Sequence, residues 1–238
     1  MPIAAATPVF ERLRQQIETL EHRHTATVPV AKPVDQWLPH HGLPAGCIHE
    51  VKGAHLANAI AFAGILSARL AASSAGQVLY LATDRRLHPL GLLPYGIKPQ
   101  DILHVSAKRQ QDLAWVALEA LRCAQVSAVI ALIDGIDLKD SRRLQLAAEE
   151  SGATGFFLGH AASAPIASPV TRWRIAPYVN DRQRRFDQPC WKVDLLYCRG
   201  GRPGSWTLEW RNQDLAEVAQ AQPAQAASKP AAAYALAG

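Results

Sequence analysis

A chain of 238 residues, 49% of them apolar, has the length of one domain with extensions rather than two full domains, and can bury a substantial core. Its apolar runs are broken before they reach the length of a membrane span. The N-terminus lacks the basic-then-apolar order of a signal peptide, and four cysteines without a CxxC pair and nine histidines without HxxxH or HExxH offer no zinc motif, so a cytoplasmic protein with reduced thiols, no membrane contact and no metal or cofactor is expected. The formal charge of +5 lies wholly within residues 172–211, where nine Arg or Lys stand against four Asp or Glu, a clustered excess suited to a polyanion.

Phe10, Leu13, Ile17 and Leu20 recur at the spacing of one helical face, so the N-terminal segment 1–24 is expected to carry a short amphipathic helix outside the main core. Residues 25–44 hold Pro29, Pro33, Pro39 and Pro44 without periodicity and are expected to form a Pro-rich linker with local turns. A domain over 45–211 follows. Short apolar runs at 48–51, 78–82, 102–105, 128–133 and 154–159 predict strands, and 54–72, 113–124 and 141–150 predict helices between them. Continuously apolar strands alternating with helices mark a mostly parallel sheet covered on both faces, hence the α/β class. The grammar then changes: 170–176, 191–198 and 205–211 predict further strands, the last two joined by the Gly/Pro turn at 199–204 as an antiparallel C-terminal hairpin extension. Segment 212–238 is expected to start with a short helical piece (DLAEVAQAQ) and to run into a tail in which nine of the last eighteen residues are Ala, a composition that predicts disorder.

The turn at 42–46 (GLPAG), followed by 48–53 (IHEVKG), resembles the approach to the phosphate-binding Walker A loop of RecA-type proteins. In that pattern, GxxxxGK[ST], Gly53 is present, but Asn58 stands for the second Gly, Ala59 for the Lys and Ile60 for the hydroxyl residue. The loop works because backbone N–H groups close on phosphates, the Lys neutralises them and the hydroxyl holds magnesium. Ala59 and Ile60 supply neither of the last two, so nucleotide binding and catalysis are not expected. Lys52 as a displaced lysine is the weakest alternative, because it precedes Gly53 and must bend back over the loop. The resemblance continues in order. Residues 78–82 and the loop after them place Asp84 where the family carries its catalytic Glu, 130–134 resembles Walker B and ends on Asp134, and 155–160 places His160 where a nucleotide-sensing Gln stands. With the loop emptied, Asp134 is expected to cap a helix or bond a loop, and Asp84 and His160 to be inherited geometry. The resemblance thus implies a RecA-like core.

Residues 10–21 (FERLRQQIETLE), together with the GLPAG turn, are similar to the ImuA family of RecA-like proteins with an emptied Walker A. That resemblance implies a non-catalytic accessory role in the bacterial SOS response and DNA-damage tolerance. Its implied partners in the translesion-synthesis mutasome are an ImuB-like homologue of Y-family polymerases, RecA, the error-prone replicative polymerase and DNA, with a homo-oligomer also open. The related SulA-like inhibitors, which act on a tubulin-like division protein, are the alternative; they are shorter and lack the N-terminal extension. Arg172, Arg174, Arg182, Arg184, Arg185 and Lys192, with Phe186, Trp173 and Trp191 near them in sequence, are the candidate DNA contacts, against the plainer reading of solvated surface arginines. The stripe Phe10, Leu13, Ile17 and Leu20 docks either on its own domain or on a partner that the linker lets it reach.

Overall fold

A computed structural model of the chain describes residues 26–83, 88–178 and 188–218. The stripe Phe10, Leu13, Ile17 and Leu20, as well as Asp84, Arg182, Arg184, Arg185, Phe186 and the Ala-rich tail, lie outside the described residues.

The strands expected between 48 and 159 are β3 (Ile48–Gly53), β4 (Gln77–Ala82), β5 (Ile102–Ser106), β6 (Val126–Leu132) and β7 (Thr154–His160). They form a parallel array in the order β3, β7, β6, β4, β5. β8 (Thr171–Pro177) joins β3 in parallel, and β9 (Cys190–Cys198) and β10 (Gly204–Arg211) continue antiparallel, so the protein is α/β with a mostly parallel mixed sheet and an antiparallel C-terminal extension. The central strands are apolar throughout because both faces are covered. The long apolar helix α2 (Leu56–Ser74) lies on one face, packing Phe62, Ile65 and Leu66 against Val51, Phe156 and Trp173. On the other face, helices α3 (Gln110–Leu121) and α4 (Leu138–Ser151) enclose Ile48, Leu81, Val129 and Phe157. Helix α2 is long and apolar enough to cross a membrane by composition, and half of it is buried inside this core.

Two expectations are corrected. Residues 26–44 are a packed part of the domain rather than a linker: β1 (Thr27–Val28) pairs with β2 (Leu43–Pro44), the helical turn α1 (Lys32–Asp35) lies between them, and Val28, Val30, Val34, Leu38 and Leu43 are buried in the same core as α2. The prolines break periodicity, and side chains satisfy the backbone that they leave irregular. The Asp35 carboxylate accepts from the Val30 and Ala31 amides at 2.8 and 3.4 Å, and Arg69 of α2 donates to the Pro29 and Val30 carbonyls at 2.6 and 2.8 Å. The DLAE segment is a strand, β11 (Asp214–Glu217), rather than helix. Asn212 and Gln213 both take left-handed backbone angles (φ 52° and 61°), as the two central residues of a tight hairpin turn require, and this folds the chain back onto β10 with Leu215 buried. The sheet therefore runs on past 212.

Candidate functional site

The segment that resembles an emptied Walker A loop joins β3 to α2. Gly53 ends the strand and α2 already begins at Leu56, so two positions ahead of Asn58 are wound into the helix instead of remaining a loop around an anion. The Ala54 amide, which a phosphate cradle would aim at its ligand, donates to the Ile175 carbonyl at 2.9 Å, and the Asn58 amide donates to His55 O at 3.0 Å. The turn is so tight that a Cβ on Gly53 would stand 2.3 Å from the His55 carbonyl oxygen, which only glycine avoids. Ala59 is fully buried in the core, Ile60 packs against it, and the Asn58 amide nitrogen Nδ2 is buried without a hydrogen-bond partner. No cation faces this loop from Lys52. That side chain lies on the β3 face opposite Val51, donates to the Ser163 carbonyl and stands 3.8 Å from Glu50.

The remaining described positions of the nucleotide-site resemblance lie at the same C-terminal edge of the sheet, where His160 is the register partner of Gly53 and Asp134 follows the next strand, β6. Asp134 is exposed after β6 and does not cap the following helix, α4; that role belongs to Asp137, whose carboxylate accepts from the Asp140 amide at 2.8 Å. His160 is exposed at the end of β7, in a turn closed by Ser163, whose hydroxyl accepts from the His160 amide at 3.0 Å.

Of the candidate DNA contacts, Arg172, Arg174 and Lys192 do share one face of the extension, the face opposite buried Trp173 and Val193. Two of them are occupied. Arg172 Nε donates to the carboxylate of Glu50, a side chain only 1% exposed, and its Nη2 donates to the Ile166 carbonyl at 2.9 Å. Glu50 in turn accepts from the Ile166 amide at 2.8 Å, so both polar groups of Ile166 are held and the β7–β8 connection is pinned to the sheet. Arg174 pairs with Asp194 at 3.0 Å, and Ser205 donates to the same carboxylate at 2.6 Å. Of the three, only Lys192 stands exposed without a carboxylate among the described residues.

A second buried polar group carries no sequence signature. His49, fully buried and stacked on Phe156, lies 3.3 Å from the Cys47 thiol, an arrangement that looks like a nucleophile and its base. Burial pushes the thiol up and the imidazole down, to about 4, so at neutral pH both are uncharged and unsuited to that chemistry. The hydrogen bonds fix the tautomer. Trp173 Nε1 donates to Thr171 Oγ1 at 2.7 Å, the Thr171 hydroxyl donates to His49 Nδ1 at 2.7 Å, and His49 Nε2 donates to the Pro44 carbonyl at 2.9 Å. This chain fastens the GLPAG turn to the centre of the sheet. Only the residue types, and no spacing rule, hint at it.

Sequence reasoning also misses the surface where the β9–β10 turn meets residues 37–41. A Cβ on Gly201 would stand 2.7 Å from the Trp37 carbonyl oxygen, the Arg202 amide donates to that oxygen at 3.0 Å, and the Arg202 guanidinium lies over the Trp37 ring, 5.9 Å from its centroid. Trp37 also meets Trp206 edge-on at 5.9 Å and remains 38% exposed.

Across 194 residues the chain is 34% identical to "Protein ImuA" of two strains of Caulobacter vibrioides, the match covering 74% of this chain and 80% of the relative. No family model matches the sequence.

Proposed function

The chain belongs to the ImuA family, and from that premise we propose that it is a non-catalytic accessory protein of bacterial DNA-damage tolerance. It acts in the cytoplasm within a translesion-synthesis assembly, bridging an ImuB-like, polymerase-related partner and RecA-like or DNA components. The observation that carries this reading is the β3–α2 junction: a RecA-like order of elements surrounds a loop whose first amide is spent on Ile175 and whose Lys and hydroxyl positions hold Ala59 and Ile60. A protein of this kind works by contact. The identity to ImuA favours this reading over the SulA-like one, which no separate observation supports.

The emptied loop makes a direct prediction. ATP with magnesium should neither be hydrolysed nor bound in the micromolar range, because charge neutralisation and metal ligation are both absent. Isothermal titration with Mg-ATP checks this, and saturable magnesium-dependent binding in that range would overturn the non-catalytic reading.

Capture of candidate partners tests the accessory role itself. Tagged full-length chain should retain a polymerase-like ImuB partner and not a tubulin-like division protein; the reverse pattern would replace the reading with the SulA-like one. The N-terminal stripe is the expected contact. Leu13→Asp with Ile17→Asp should reduce capture by at least tenfold, since it places two charges where an apolar groove would take leucine and isoleucine. Deleting residues 1–24, which precede the packed segment starting at β1, should leave Tm near that of the full chain. Unfolding of the deletion variant would make the segment part of the core instead.

A further inference from the structure

The basic excess counted in sequence divides in the fold. Arg172 and Arg174 are paired with Glu50 and Asp194, Arg174 while still exposed, whereas Arg199 and Arg202, in the β9–β10 turn, are both exposed and neither is paired with a carboxylate among the described residues. The turn stands against segment 37–41 through Gly200, Gly201 and Arg202: Trp37 is partly exposed under Arg202, Pro39 lies 3.9 Å from the Cβ position of Gly200, and His40 and His41 are exposed in consecutive left-handed conformations. Neither 36–42 nor 198–204 contains an acidic residue. The patch therefore joins an exposed indole and a guanidinium over its ring, with a second exposed arginine in the same turn and two exposed histidines in the same segment.

We propose that this patch, Trp37 with Arg199 and Arg202, binds single-stranded nucleic acid. The exposed indole with a guanidinium 5.9 Å from its ring centroid offers an aromatic face and a cation against which an unpaired base can stack, and this suits bases of any sequence because every base has a π-face. Arg199, exposed three positions before Arg202 in the same turn, adds a second cation that can engage backbone phosphate. A duplex hides its base faces and gains only the charge. An acidic peptide also gains only the charge, which leaves the exposed stack unused. The proposal rests on the accessory-protein reading only in its choice of polyanion, and it moves the DNA contact away from the paired arginines of β8.

The test is a fluorescence-anisotropy titration of labelled oligothymidylate with the full chain across a salt series. Arg199→Ala with Arg202→Ala should lower affinity at least tenfold and reduce the log–log salt slope by roughly 0.7 for each phosphate of the single strand that is no longer neutralised. Trp37→Ala should lower affinity about tenfold with little change in slope. Trp37→Phe, which keeps an aromatic ring against Trp206, should bind within about threefold of the wild type and serves as the folded control. In a Trp115→Phe background, which removes the other exposed indole, the oligonucleotide should quench Trp37 fluorescence. The proposal is overturned if the full chain does not bind the oligonucleotide, if the arginine and Trp37→Ala variants bind as the wild type does, or if polyglutamate competes as well as oligothymidylate at equal charge. Partner capture is measured on the same variants. Capture retained while oligonucleotide binding is unaffected by the substitutions sinks this site and leaves the accessory role standing; expected binding without capture does the opposite.

Discussion

Replacing Arg172 by Ala should lower the unfolding free energy by about 3 kcal/mol and Tm by roughly 6–12 °C, although the basic count around this residue points to a surface DNA contact. The cause is the carboxylate that it leaves behind. Glu50 is 1% exposed on a central strand, and its partners are the Arg172 guanidinium, the Ile166 amide and, more distantly, Lys52 at 3.8 Å. Removing one partner of a buried carboxylate's ion pair costs about 3–5 kcal/mol, and the partial exposure of Arg172 with the remaining Lys52 and Ile166 contacts holds the effect at the low end. Glu50→Gln should cost less, about 1–2 kcal/mol, because the amide oxygen still accepts from Ile166 and the two cations left behind, 33% and 14% exposed, reach water. The double substitution should cost less than the sum, since both changes break the same ion pair. Urea denaturation followed by near-UV circular dichroism gives all three values. If Arg172→Ala costs less than Glu50→Gln, the carboxylate is hydrated and the clamp on the β7–β8 connection is not what holds it.

That clamp shows why part of the molecule is legible in sequence and part is not. The strands from β3 to β7 are visible because helices cover both faces, which forces nearly continuous apolar runs such as VSAVIAL of β6, and local composition records burial of that kind directly. Residues 26–44 read as a linker because their order is set from a distance. Val30 and its neighbours are irregularly spaced, and the groups that satisfy their backbone are Asp35 and, from α2, Arg69. β11 reads as helix for the opposite reason: Asp-Leu-Ala-Glu suits a helix locally, and the left-handed pair Asn212-Gln213 with the β10 edge overrides it. The residues at the loop positions, Asn58, Ala59 and Ile60, are read from sequence alone, whereas the winding of α2 from Leu56 and the bond from the Ala54 amide to Ile175 are not. Charge is the least legible property. A count over 172–211 cannot see Glu50 across 122 positions, nor that Trp37 meets Arg202, and so it weights the spent arginines equally with the exposed ones.

Acid should loosen this fold through His49 before most carboxylates are protonated. Buried beside Phe156, the imidazole holds its pKa at about 4 against an ordinary value of 6.5, because desolvation outweighs the favourable bond to the Pro44 carbonyl. Between those two values the unfolded chain binds a proton that the folded chain refuses. Stability from this group is therefore complete above about pH 6.5, declines as the pH falls, and is exhausted below about pH 4. At roughly 1.4 kcal/mol per pH unit the full loss is about 3 kcal/mol. Protonation also reverses part of the chain, since a charged imidazole carries a hydrogen on Nδ1, so Thr171 Oγ1 must accept from both His49 and Trp173 and its own hydrogen must find another acceptor. Carboxylates titrate in the same range, so the useful quantity is a difference. His49→Gln should be less stable than the wild type at pH 7.5, through the lost stack on Phe156, and the gap between the two should narrow by about 2 kcal/mol or more on moving to pH 4.5. An NMR titration of the His49 ring in the folded wild type should show no protonation above about pH 5. Parallel stability curves for the two proteins would mean that the imidazole is solvated in the fold, and the fastening of the GLPAG turn through Pro44 would then have to come from other contacts.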